Sequence, residues 1–201
     1  MGEEYKIVLV GVGGQGILTI SDVIAFATLN KGLNILGSEV HGMAQKGGSV
    51  ITNLKIGKEL YSPSIPLGSA HILVSLEENE TLRYMKYLKP KGIVITSTTV
   101  LHPVTWKRDK KAADEAQEKL SVNLSEFEAK IIRIEAEKLA LEAGLVLTQN
   151  IVLLGALSQV EGFPLSTDEL RKALKERVPT KYIEQNLKAF ELGIKAIENS
   201  L

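Results

Sequence analysis

Hydrophobic and polar positions along this chain follow two periods, and the switches between them mark the elements. Ile7 to Val10 is an unbroken apolar run, which predicts a strand buried on both faces. After a glycine-rich turn, Ile17, Leu18, Ile20, Val23, Ile24, Ala27 and Leu29 recur at helical spacing, and Lys31-Gly32 closes that helix with a cation and a glycine. A second strand is expected to begin near Leu33. Val50 to Ile56 alternates Val, Thr, Leu and Ile with smaller or polar residues, and Gly57-Lys58 reads as a hairpin turn into Leu60-Tyr61. Pro63 and Pro66 make residues 62–68 an extended connection. His71 to Leu76 then reads as another buried strand and Glu77 to Lys86 as a helix.

Gly92 to Thr96 and Ile131 to Ile134 supply two further strands, and Glu135 to Ala143 a helix ending at Gly144. Between them, the heavily charged stretch from Trp106 to Lys119 has the composition of a solvated helix. Asn150 to Val160 is almost wholly apolar with Gly155-Ala156 in its middle, as suits a helix buried against the sheet where small residues permit close approach. Ser166-Thr167-Asp168-Glu169 opens the next helix with capping residues and early acids, and Pro179 to Asn199 gives the last. Strands alternating with helices and ending in a helical tail predict one α/β domain over residues 1–201. Its expected form is a Rossmann-like, open, mainly parallel sheet with flanking helices, an antiparallel hairpin from residues 50–61, and a helical C-terminal tail.

Composition narrows the chemistry. With 201 residues the chain can bury a core without staples, and 24 basic residues balance 24 acidic ones, so any anion site must be local and nucleic acid is not an expected partner. The absence of cysteine removes disulfides, thiolate nucleophiles and the usual ligands of iron-sulfur clusters and structural zinc. Three scattered histidines do not make a metal site, so none is expected. There is no signal-peptide pattern and no apolar run near the ~20 residues of a membrane span, so the expected compartment is the cytoplasm.

Gly11, Gly13 and Gly16, with Gly14 and Gln15 between, stand where a strand turns into a helix, whose first amides lack intrahelical partners. The spacing suits a phosphate cradle and equally a bare tight turn. A second polar, glycine-rich segment, Ser38 to Ser49, reads as a functional loop; its candidates for ligand contact are Gln45, Lys46, Gly47, Gly48 and Ser49. Glu39 and His41, two apart on an extended segment, share a face and are weak candidates for an acid/base pair, or simply order the loop. Glu39 also lies 23 residues after Gly16, near where an acid would grip a ribose hydroxyl. On the last helix, Phe190 is expected to pack and Asn186 to satisfy a buried backbone group.

Three collinear segments together carry a resemblance: Gly11 through Leu18, Ser38 through Val50, and Pro179 through Lys181 with Asn186, Ala189, Phe190 and Gly193. They resemble the gamma-type domain of 2-oxoacid:ferredoxin oxidoreductases, and the second segment most resembles the indolepyruvate type. The likeness extends through Tyr61-Ser62-Pro63, Leu82-Arg83-Tyr84 with Leu88, and Asn150 to Leu157. It departs at Lys46, where arginine is expected and the planar fork is lost, and at His71, where aspartate commonly begins the strand. The resemblance implies a subunit for oxidative decarboxylation of a 2-oxo acid to an acyl-CoA with reduction of ferredoxin. Thiamine diphosphate, magnesium and the iron-sulfur clusters would then sit on a larger alpha subunit, and this chain would help to bind coenzyme A. A nucleotide-binding dehydrogenase and a purely structural subunit are the alternatives.

Overall fold

The computed structural model describes residues 4–42, 47–101 and 128–198. The charged stretch after Trp106, His102, Gln45 and Lys46 lie outside them. Among the described residues the core is a six-stranded sheet in the order β2-β3-β1-β4-β5-β6, built from β1 (Tyr5–Val12), β2 (Asn34–His41), β3 (Ser49–Gly57), β4 (Ala70–Ser75), β5 (Leu88–Ser97) and β6 (Lys130–Ile134). The pairs β1–β4, β4–β5 and β5–β6 are parallel. β3 runs antiparallel to both of its neighbours, so β2 points the same way as β1.

The antiparallel hairpin is therefore not the one expected. Residues 58–61 form no strand; instead β3 pairs back onto β2 over its whole length, from Asn34 opposite Gly57 to His41 opposite Val50. Alternation in residues 50–56 fixes which side chains share a face but not which neighbour the strand chooses. Likewise Ser38 to His41, expected as loop, completes β2. That strand is at the sheet's edge and half solvated, so polar residues sit there without breaking it.

Helices cover both faces. Ile7 and Leu9 of β1 pack with Ile20, Val23 and Ile24 of α1 (Ile17–Asn30) and with the buried α4 (Gln149–Leu157). Val8, Val10, Ile51, Leu73 and Val94 point the other way, towards Ile65, Met85 and Leu88, beside the short α2 (Glu78–Tyr84). α3 (Ala136–Ala143) ends on Gly144, as expected. α5 (Thr167–Arg177) opens with a full capping box of Ser166 and Glu169. It is tied along α1 by Arg177, which forks onto Asp22 at 2.8 and 3.0 Å and lies over Phe26.

The last helix, α6 (Ile183–Glu198), meets α4 backbone to backbone. A β-carbon on Gly155 would collide with the Phe190 carbonyl oxygen, and one on Gly193 with the Val152 carbonyl oxygen. Each helix thus carries a notch for the other. Phe190 is fully buried beside the contact, and Asn186 Nδ2 donates to the Tyr182 carbonyl at 2.7 Å, as the sequence implied for both. Behind the sheet, this helix pair holds the N-terminus of α4 against the turn that follows β1.

Candidate functional site

β1 ends at Val12, and the chain must reverse into α1 within four residues. Gly14 and Gly16 make this possible at φ 103° and 82°, in the left-handed region where a β-carbon is strained. Gly16 is the N-cap of α1 and supplies no side-chain cap. Among the described residues, the amides of Gly14, Gly16, Ile17 and Leu18 find no acceptor. These donors face the mouth of the turn, backed by the dipole of a 14-residue helix.

The other polar groups of the turn are used internally. The Gly13 amide donates to the Gly48 carbonyl at 2.8 Å, and the Gly47 amide donates to the Gly13 carbonyl at 3.3 Å. The two glycine segments therefore zip together, continuing the β1–β3 ladder past its last residues. Gln15 folds back: its Oε1 accepts the Val12 amide at 2.7 Å and its Nε2 donates to the Leu76 carbonyl at 3.1 Å. Gly11 makes room for this clasp, because a β-carbon there would stand 2.8 Å from Gln15 Oε1. Ser49 points to the other side of β3, where its hydroxyl donates to Glu80 and sits 3.0 Å from the Tyr84 hydroxyl.

Glu80 is held for this by Glu77, the N-cap of α2, whose carboxylate accepts the amides of Glu80 and Leu101 at 2.8 and 2.9 Å and the Asn79 amide group at 2.7 Å. Burial still pushes the Glu77 carboxyl above the usual range. Asn150 is a residue that sequence reasoning placed only at the start of a buried helix. Its Nδ2 donates to the Gly16 carbonyl at 2.9 Å, and its Oδ1 accepts the Ile151 amide at 2.9 Å, so it pins the turn to α4. The available signal was one amide side chain heading seven apolar or small residues.

The turn and the end of β2 share one cleft of about 670 Å³. Gly14, Gly16 and Leu18 form one wall, and Glu39 and His41 the other. The two side chains do meet: His41 Nε2 lies 2.7 Å from Glu39 Oε1, within ion-pair distance once the ring is protonated. That oxygen is buried and has no aligned hydrogen-bond donor, so the contact is one of proximity and charge. The arrangement offers backbone donors for an anion on one side and a carboxylate for hydroxyl or amino groups on the other. Among the described residues no three of His, Asp and Glu gather to hold a metal ion, and no cysteine exists to hold a cluster.

Comparison with known proteins shows the family and the fold that carry this geometry. Residues 6–196 match the profile of the family described as pyruvate ferredoxin/flavodoxin oxidoreductase. An indolepyruvate oxidoreductase subunit IorB from Thermococcus kodakarensis is 42% identical over 199 residues, which cover 99% of this chain and 98% of that one. Its namesake from Methanothermobacter thermautotrophicus is 37% identical, covering 98% of this chain and all of that one. The fold is shared with a larger 2-oxoglutarate:ferredoxin oxidoreductase from Magnetococcus marinus, solved with 2-oxoglutarate, coenzyme A and succinyl-CoA bound: TM-score 0.75 at 21% identity over 98% of this chain and 31% of that one. Among the described residues no helix is long and apolar enough to cross a membrane.

Proposed function

This chain belongs to the pyruvate ferredoxin/flavodoxin oxidoreductase family, and from that premise we propose that it is the small subunit of an indolepyruvate-type 2-oxoacid:ferredoxin oxidoreductase whose glycine cleft holds the phosphates of coenzyme A. The reaction is oxidative decarboxylation of an aryl 2-oxo acid to an acyl-CoA, with ferredoxin taking the electrons. A larger alpha subunit carries thiamine diphosphate, magnesium and the clusters, for which this cysteine-free chain has no thiolates.

The observation that supports the coenzyme A role is the open row of amides at Gly14, Gly16, Ile17 and Leu18. A helix terminus alone contributes about 0.3–1 kcal/mol, so it is the several amides acting together on one phosphate that make the cradle selective. Glu39 accepts from hydroxyl or amino groups of the bound molecule, and His41 stands against its carboxylate at 2.7 Å on the same wall of the cleft. Gln15 and Ser49 serve by holding the turn and its neighbour in place.

One observation favours a second reading, a nucleotide-binding dehydrogenase: Glu39 lies near the end of β2 and lines the same cleft as the turn. In a doubly wound sheet β1 and β2 are neighbours, whereas here β3 lies between them and sets the acid about 4.8 Å further away. Titration with NADH separates the two, since a dehydrogenase site would enhance the nicotinamide fluorescence.

The direct test uses Leu18, whose side chain is exposed at the cleft. Leu18→Glu suits a helix N-terminus but sets a negative charge beside the amides. In the complex reconstituted with the large subunit it should raise the apparent KM for coenzyme A about tenfold with kcat unchanged, and Leu18→Lys should lower it. Equal KM values in all three proteins would remove the cradle. Absence of reductant from indolepyruvate and coenzyme A with the parent complex would remove the assignment itself.

A further inference from the structure

A second cleft, of about 720 Å³, opens at the opposite end of the sheet, where β1, β4 and β5 begin and β3 finishes. Lys58, Lys89 and Lys91 line it. Among the described residues none of the three has a carboxylate within ion-pair distance. Of the two acids on the lining, Glu4 is already shared by Lys6 at 3.9 Å and Lys55 at 3.4 Å, which leaves Glu161. In a chain of zero formal net charge, three ammonium groups against the single remaining carboxylate of Glu161 around one cavity make a local positive potential.

The backbone is strained at one of them. Lys91 has φ 60°, the one non-glycine residue in the left-handed region among those described. It sits in a bulge where the β4–β5 register jumps from Ala70–Leu88 to Ile72–Ile93. A β-carbon on the next residue, Gly92, would stand 2.7 Å from Leu88 Cγ, so the loop is doubled tightly. Unfavourable backbone of this kind persists only where its surroundings impose it, and it concentrates at ligand sites.

The floor of the cleft is flat and fixed. Tyr5 stacks on His71 with ring centroids 4.8 Å apart and 16° between planes, and Phe163 meets Tyr5 edge-on at 5.6 Å. His71 Nδ1 accepts the Lys6 amide at 3.0 Å, which holds the imidazole in one orientation. Burial pushes the Tyr5 hydroxyl up to about 12, so the phenol stays neutral beside an anion. Leu33, Ile56 and Ile93 supply apolar walls, and the volume far exceeds that of a bare inorganic ion.

We propose that this second cleft binds a small organic anion, a carboxylate or phosphate on a flat apolar body, with Lys58, Lys89 and Lys91 around the charge and the Tyr5–His71 stack beneath the body. The site is separate from the glycine cleft and does not depend on what that cleft holds. Aryl 2-oxo acids and aromatic phosphate esters share the required chemistry.

The chain has three histidines, His41, His71 and His102, so the imidazole Cε1–H signals of the full-length protein give separate reporters. Phenylacetate and phenyl phosphate, titrated in parallel at constant ionic strength, represent the two anion types. We expect at least one to move the His71 signal to saturation at a midpoint about tenfold below that of inorganic phosphate, the preferred probe naming the charged group. The Lys89→Ala/Lys91→Gly double variant should raise that midpoint at least tenfold. Lys91→Gly alone should raise the thermal midpoint by about 2–4 °C, since glycine adopts that φ without strain. A variant that gains stability while losing affinity separates the site from the fold. A His71 shift that grows linearly and equally with sodium chloride, or a double variant that titrates like the parent, would overturn the proposal.

Discussion

The α4–α6 contact and the turn after β1 are both built on glycine, for opposite reasons. Between the helices, Gly155 and Gly193 have ordinary helical backbones and are needed for the volume they lack, because a carbonyl oxygen of the partner helix fills the place of each β-carbon. In the turn, Gly14 has nothing within 4 Å of its missing β-carbon and is needed for its φ of 103°. The first use closes space and stabilises the domain; the second opens the backbone and leaves amides facing solvent. Mutations that add one methyl group should therefore separate fold from function according to where they fall.

The largest effect is expected at the helix pair. Gly193→Ala gains about 1 kcal/mol of helix propensity but forces two backbones apart, and a backbone oxygen cannot rotate out of the way as a side chain can. We expect a net loss of about 2–4 kcal/mol, seen as a thermal midpoint lowered by roughly 10 °C, and a similar loss for Gly155→Ala. Below that midpoint the glycine cleft should work normally. A Gly193→Ala protein melting within about 2 °C of the parent would show that the helices do not rest on backbone contact.

Gly16 combines the two uses and so can break the comparison. Its φ is 82°, and a β-carbon would stand 2.5 Å from Asn150 Nδ2. Gly16→Ala should cost about 2–3 kcal/mol in urea unfolding, part strain and part collision. In an Asn150→Ala background the collision disappears, and the same substitution should cost only the strain, about 1–2 kcal/mol. Equal costs in both backgrounds would leave conformation as the whole explanation.

A smaller effect, about 1–2 kcal/mol, is expected for Gln15→Ala, which strands the Val12 amide and the Leu76 carbonyl. The measurement that sharpens the contrast is coenzyme A affinity in the assembled complex. If Gln15 acts only as a clasp, affinity should recover in proportion to the folded fraction, whereas a lost ligand contact would lower it even where the variant is fully folded.

These residues also show how far the sequence could be read. The strand Ile7 to Val10, the helix after it and the capping box at Ser166 are local signals, set by neighbours within a few positions, and the structure follows them, whereas the close approach expected between Gly155 and the sheet is made instead to Phe190 of the last helix. The β2–β3 pairing and the direction of Ser49 are not local. An edge strand half in water carries little hydrophobic pattern, and one step of register decides whether Ser49 faces the cleft or α2. The partner of Gln15, Leu76, is 61 residues away, and that of Gly16, Asn150, is 134. Polar residue types in a glycine loop signal that hydrogen bonds are made there; only the tertiary arrangement settles whether they point outwards to a ligand or back into the chain.

The smallest expected effect tests the open end of the contrast. Gly14→Ala meets no neighbour, so its cost is purely that of holding alanine at positive φ, about 1 kcal/mol, and Gly14→Asn should cost less because asparagine tolerates left-handed backbone. Both variants keep the amide at residue 14 and so should keep coenzyme A affinity within about twofold, less than 0.5 kcal/mol. A fall of tenfold or more in affinity with little change in stability would mean that the ligand lies against the α-carbon itself, so that Gly14, like Gly193, is chosen for the space it leaves empty. The distinction drawn between helix notch and turn would then rest on what fills the space, a backbone in one case and a bound molecule in the other.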